Sequence, residues 1–293
     1  MEFFGGDDAS RSVGEQWAEI TGSSSSSDEL DLRSIPTRPD LWPPAAATGP
    51  SSAAAAAAEV ERRGTPPRNR TISRVAASRL YGRLLPPESP LQRRLALLAP
   101  TRLSLLGVGS FENSPSSRLQ LALAALLRRD LLPESSAHAD LFDPVLSAAE
   151  CAAAAALGFT VPGVNDGCRR RADEPTLFYM PHCEASLYDA LLAANWEPPS
   201  QLRHVCVLGN SFRNYAIQAE ENRSGPAAKA KHVLAAERFA WEERVNEKGG
   251  VDDDDDDVFN RAFNETSWHF FEVDDPADLA AAVAAAVSTG GRR

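Results

Sequence analysis

The residues best suited to chemistry begin with the adjacent pair His182–Cys183, inside "FYMPHCEASLYDALLAANW" at 178–196. An imidazole beside a thiol is the raw material of a nucleophilic dyad or a metal site. Cys183 precedes a helical pattern, and a thiol at a helix N-terminus is expected to have a lowered pKa. The two side chains leave an apolar run toward opposite faces, a poor arrangement for a dyad. No partner stands at zinc spacing, so no metal is expected. A second stretch, "GNSFR" at 209–213, puts Asn210 and Ser211 in a pattern like a nucleophile elbow, with Arg213 replacing the last glycine. A triad drawn from Asp143, Ser211 and either His182 or His269 would run in neither usual order for hydrolases of this class, so hydrolysis is not favoured. A third stretch, "GVGSFE" at 107–112, offers Gly107, Gly109 and Ser110. Such a loop lets backbone N–H groups approach an anion. A dinucleotide fingerprint would need a third glycine where Glu112 stands, which weakens a nicotinamide reading. Asp143, followed by Pro144, reads first as a helix cap and second as a ligand contact.

These residues share a context. "RLSLL" from Arg102 is a short apolar run ending at Gly107, a strand by length and flanks. Ser114 and Pro115 then supply a cap and a first helical residue. Leu119, Leu123, Leu126 and Leu127 repeat at helical spacing, and Arg128 and Arg129 complement the dipole at the far end. "HADLF" is a second strand, and the Asp143–Pro144 pair is expected to open an alanine-rich helix that stops at Gly158. "FTV" at 159–161 is a short strand candidate, and "TLFYM" from Thr176 a stronger one. "HVCVL" from His204 ends at Gly209, and "SWHFFEV" from Ser267 reads as a last strand. A helix is expected over about 227–245, and another from Pro276 with Asp275 as its cap. Strand–helix alternation with apolar strands predicts a Rossmann-like, doubly wound α/β fold. Its sheet is mainly parallel, with about five or six strands and helices on both faces. In such a sheet, ligands bind beyond the strand carboxyl ends. That rule gathers the candidate ligand-binding set: Gly107, Gly109, Ser110, Asp143, His182, Cys183, Asn210 and Ser211.

The chain has 293 residues and a formal net charge of −11. Residues 1–71 carry serine and alanine runs and many prolines, and are expected to be a disordered, low-complexity region. Residues 72–293 form the expected α/β domain, with a polar, acidic insertion at about 219–258. The run Asp252–Asp257 lacks the ligand alternation and glycine of a calcium loop and reads as a solvated loop. The acidic balance argues against direct nucleic-acid binding, and arginines between Arg62 and Arg74 form a weak candidate import signal. No signal peptide or membrane span is expected. The cysteines Cys151, Cys168, Cys183 and Cys206 show no CxxC pairing and read as free thiols.

Five blocks stand in one order: "LLGVGSFENSPSSRLQLAL", "DLFDPVLSAAECAAAAALGFTV", "DEPTLFYMPHCEASLYDALLAANW", "VCVLGNSF" and "FNETSWHFF". Over about Arg102–Glu272 the chain closely resembles the sensitivity-to-red-light-reduced (SRR-like) family. The resemblance implies a regulator of the circadian clock and, in plants, of phytochrome-type light signalling, both nuclear and cytoplasmic. It assigns no catalytic residue and no cofactor. The expected function is therefore regulatory and non-enzymatic, with protein partners in a signalling pathway. The alternative is a Rossmann-like enzyme or sensor that holds a small anionic, nucleotide-like ligand at the strand carboxyl ends.

Overall fold

The computed structural model describes residues 67–133, 138–245, 257–272 and 276–289. Of the low-complexity region expected over residues 1–71, residues 1–66 lie outside the described residues, as do the Asp275 cap and all but the last residue of the acidic run; residues 67–71 instead open the first helix. Among the described residues three helices precede the sheet: α1 (Pro67–Ala76), α2 (Arg79–Leu84) and α3 (Pro90–Leu98). Then follow β1 (Arg102–Leu106), α4 (Pro115–Leu131), β2 (His138–Phe142), α5 (Ala148–Ala156), β3 (Thr176–Met180), α6 (Ala185–Ala194) and β4 (Val205–Asn210). The chain continues through α7 (Phe212–Glu221), α8 (Pro226–Lys229), α9 (Lys231–Ala236), β5 (Ala240–Arg244), α10 (Asp257–Phe263), β6 (Thr266–Phe271) and α11 (Pro276–Thr289).

The six strands form one sheet in the order β2-β1-β3-β4-β6-β5. Four are parallel neighbours, as expected, while β6 runs against both β4 and β5. Strand residues alternate between two cores, as the pleat requires. Leu103, Leu105, Leu177, Tyr179, Cys206, Leu208, Trp268 and Phe270 face one core, with the buried residues of α1 to α4 and α10. Leu106, Phe178, Met180, Val205, Val207 and Phe271 face the other, with those of α6, α7, α9 and α11. Apolar side chains on both faces explain why the strands read as continuous apolar runs.

Local chemistry sets the element ends. Ser114 caps α4 by accepting from Ser117 N at 3.2 Å, and Pro115 fills the first turn. Gly158, at φ +81°, follows α5 in the left-handed region that favours glycine. The start of α5 differs from expectation. Its cap is Ser147, not Asp143, through a capping box in which Ser147 Oγ accepts from Glu150 N and Glu150 accepts from Ser147 N. "FTV" contributes only one bridge, Thr160 beside Asp140. The expected helix over 227–245 is instead two short helices and the edge strand β5. Pairing with β6 decides this: Trp241 lies opposite Phe270, their ring centroids 5.7 Å apart. Such a long-range partner overrides local helical spacing. β4 also runs one residue past Gly209, to Asn210.

A buried ionic strut fixes the segment that returns from Thr160 to β3. Arg170 pairs with Asp140 on β2 and with Asp166, the latter at 2.8 Å. Asp140 also accepts from Ser104 Oγ at 2.8 Å and from Arg102 at 3.0 Å. Two guanidiniums and a hydroxyl on one carboxylate satisfy a charge that would otherwise be costly to bury.

Candidate functional site

The carboxyl ends of β1, β3 and β4 lie side by side, since these strands are parallel neighbours. They bring together the loops that carry Gly107, Gly109 and Ser110, then His182 and Cys183, then Asn210 and Ser211. Gly107 and Gly109 both have positive φ, 69° and 71°. Gly107 is needed twice over, because a Cβ there would sit 2.5 Å from Cys183 Sγ. The β1 and β3 loops thus meet in direct contact, and the Cys183 thiol donates to Leu106 O at 3.5 Å.

Asn210 ties the β3 and β4 ends. Its Oδ1 accepts from His182 N at 3.2 Å, and its Nδ2 donates to Tyr215 Oη at 2.9 Å and Cys183 O at 3.3 Å. Tyr215 in turn donates to Cys183 O at 2.6 Å. Tyr188, on α6, donates to Met180 O and accepts from Asn210 N at 2.8 Å. Burial pushes the Tyr215 phenol up to about 12 and raises the Tyr188 phenol well above its ordinary value. Both are hydroxyl donors at neutral pH rather than proton-transfer groups.

His182 is exposed at φ +54°, outside the ordinary range for a side-chain-bearing residue. Its Nε2 lies 3.2 Å from Ala262 O, so the ring reaches the end of α10. Cys183 points the other way, into the core, as the alternation of the two side chains predicts. Its expected reactivity is not realised. The thiol is buried and precedes the cap of α6 rather than facing the open helix end, and burial raises its pKa. Burial also raises Cys206 well above the usual thiol range, and Cys168 to about 11.

Asp143 meets the first loop directly. Its Oδ2 accepts from Gly109 N at 2.8 Å and its Oδ1 from Val145 N at 3.0 Å. The carboxylate therefore already occupies a backbone N–H of the glycine loop. Glu150, buried under the same loop, accepts from Ser110 Oγ and Glu112 N, both at 2.8 Å. Burial alone would raise its pKa, but the N–H groups of Glu112 and Ser147 and the Ser110 hydroxyl outweigh it and lower the value.

Ser211 stands apart from this cluster. It is fully buried and caps α7 by accepting from Asn214 N at 3.2 Å. Neither histidine forms a triad with it. The Glu242 carboxylate, from β5, takes the serine side chain as a hydrogen-bond partner, accepts from Arg213 N at 3.2 Å, and lies 3.7 Å from His269 Nε2. His269 Nδ1 faces Val207 O at 3.3 Å, and its ring stacks on Phe212 with centroids 4.0 Å apart. A carboxylate set against the serine leaves the imidazole without a base's position. Burial would raise the Glu242 pKa, yet the His269, Ser211 and Arg213 contacts hold it at about 2.

The structure thus brings Gly107, Gly109, Ser110 and Asp143 into one loop cluster and His182, Cys183 and Asn210 into an adjoining one. Ser211 lies beneath. Sequence reasoning missed Glu150, Tyr188, Tyr215 and Glu242 as positioning residues. Glu150 had a signal, the capping-box spacing "SAAE" at 147–150. Glu242 had none, because its role depends on the unexpected strand β5. Among the described residues no group of three metal-ligating side chains gathers, and no helix is long and apolar enough to cross a membrane.

The fold and these ends define a Rossmann-like α/β protein whose strand-end polar groups are largely bonded to one another. Residues 88–270 match the model of the SRR1 domain, and the chain belongs to that family. It is 37% identical over 207 residues to Protein SENSITIVITY TO RED LIGHT REDUCED 1 of Arabidopsis thaliana, covering 69% of this chain and 72% of that protein. It is also 41% identical over 109 residues to the SRR1-like protein of Mus musculus, covering 36% of this chain and 43% of the mouse protein. No solved structure matches significantly.

Proposed function

We propose that this protein regulates light-input signalling and the circadian clock through protein partners, in the nucleus and cytoplasm, without catalysing a reaction. The observation that carries this reading is the likeness to the plant protein over most of both chains. The strand-end geometry is consistent with it: Asn210, Tyr188, Tyr215, Asp143 and Glu150 hold loops in place, and the buried thiols are poor nucleophiles. The test is expression of the full chain in Arabidopsis lacking the relative. Seedling elongation under red light and the free-running period should both return toward wild type. Normal accumulation of the protein with neither response restored would overturn the reading.

A second reading is favoured by one contact, the Asp143 carboxylate on Gly109 N. An amide that takes a carboxylate can take another anion if Asp143 swings away. In this reading the loop senses a small anionic, nucleotide-like ligand. Native mass spectrometry of the purified protein should then show a bound mass that Gly109→Val removes.

A further inference from the structure

A concavity lies at the other end of the sheet, where α3, the first residue of β4 and the last residues of β6 meet. It has a volume of about 410 Å³, and its lining includes Arg94, Leu97, Arg203, Phe270, Phe271 and Glu272. We propose that this groove docks an acidic, leucine-bearing segment of a partner protein. The proposal rests on the partner-based reading above for its setting, but on its own geometry for binding.

Three observations support that occupant. The floor is aromatic, with Phe270 and Phe271 almost wholly buried, while Leu97 on the rim is 86% exposed. Leu97 is the most exposed of the large apolar side chains that stand out to solvent among the described residues. An apolar floor with an uncovered apolar rim gains from a second apolar side chain. Next, Arg94 and Arg203 line the groove against one carboxylate, Glu272, so its rim is less acidic than the chain as a whole, whose net charge is −11. An acidic segment gains there once Glu272 gives up its place on Arg94.

The third observation shows how a carboxylate sits there. Arg94 already pairs with Glu272, whose side chain is 70% exposed. The Arg94 guanidinium lies over the Trp241 ring, 4.6 Å from its centroid. Stacking fixes the guanidinium in place, so a partner carboxylate meets a preorganised donor. Glu272 is the stand-in: a partner carboxylate replaces it on Arg94, and Glu272 turns into water at little cost because it is already exposed.

The test uses the full chain and a fluorescent nonapeptide with two leucines set between aspartates, read by anisotropy. Saturable binding is expected. Arg94→Gln and Leu97→Asp should each weaken it by about tenfold or more; Leu97→Asp leaves the melting transition in place, and Arg94→Gln lowers it only by the loss of one largely exposed ion pair and one ring contact. The same peptide with lysine for aspartate should not bind. Absence of binding, equal binding of the acidic and basic peptides, or indifference to both substitutions would overturn the proposal. Two other occupants give their own signatures, and each also overturns it. If only the Leu30→Ser/Leu32→Ser chain binds peptide, the protein's own acidic segment at 28–32 fills the groove. If Leu97→Asp instead converts a dimer to a monomer in sedimentation, the occupant is a second copy. Because binding is measured with purified components, its failure is distinct from failure of the plant test.

Discussion

At the carboxyl ends of β1, β3 and β4, Asn210, Tyr188 and Tyr215 direct their polar atoms to neighbouring main chain and to each other. At the opposite end of the sheet, Arg94 holds a carboxylate that is 70% exposed, beside a leucine that is 86% exposed. The first region is where a doubly wound sheet ordinarily binds ligands. Here it is cross-braced by its own side chains. The second has no such precedent in the fold, yet it keeps an apolar surface and a replaceable ion pair. The contrast teaches that topology names a place for a site, while side-chain bonding decides whether that place is open.

The braced end has least room to yield at Gly209. Gly209 lies inside β4, and a Cβ there would approach Met180 O to 2.9 Å and crowd the Tyr188 hydroxyl. Main chain on one side and a buried phenol on the other leave no room to yield. Gly209→Ala should cost about 3 kcal/mol, the upper end of overpacking penalties. Chemical denaturation measures this, and a loss near zero would mean the strand ends are loosely held.

A smaller loss should follow Tyr188→Phe. The phenol serves Met180 O as donor and Asn210 N as acceptor, and phenylalanine leaves both without that partner. About 2 kcal/mol is expected from groups buried without their hydrogen bonds. Full stability in this variant would show that water replaces the hydroxyl, and that the brace is less closed than its geometry.

Glu242 makes the bracing of the β4–β6–β5 side depend on pH. Its folded pKa is held at about 2, below the unfolded value of about 4.3. The unfolded chain therefore binds more protons between those values, and stability falls as pH drops from about 4.3 through about 2. Above about pH 5 the contribution is complete. Glu242→Gln should lose on the order of 1 kcal/mol at neutral pH and show a shallower acid loss in that window. An unchanged acid profile would remove Glu242 from the brace.

Much of this was legible in the chain. The Ser114–Pro115 cap, the apolar runs of β1 to β4 and β6, and the stop at Gly158 are local signals, and each gave its element. The gathering of Gly107, Gly109, His182 and Asn210 followed from parallel strands alone. What stayed hidden depends on distant partners. β5 reads as a charged helix continuation until Trp241 meets Phe270 across the sheet. Asp143 reads as a cap because its contact with Gly109 N spans two loops. Cys183 reads as a reactive thiol because the residues that bury it lie in other elements. The groove was invisible for the same reason: α3 and the end of β6 are separated by most of the domain.

The smallest stability effect should belong to the open end, and that is its diagnostic value. Leu97 is 86% exposed, so Leu97→Asp removes little buried area and strands no charge. Its stability change should stay within about 0.5 kcal/mol, as for surface positions away from special features. The new carboxylate nevertheless stands at the rim of a groove proposed to receive carboxylates, where it repels an acidic segment and offers it no apolar contact. Denaturation and peptide anisotropy on the same preparation should therefore separate: unchanged unfolding with binding largely lost. If unfolding shifts by 2 kcal/mol or more, Leu97 is structural, and the contrast between a braced end and an open end fails at that residue.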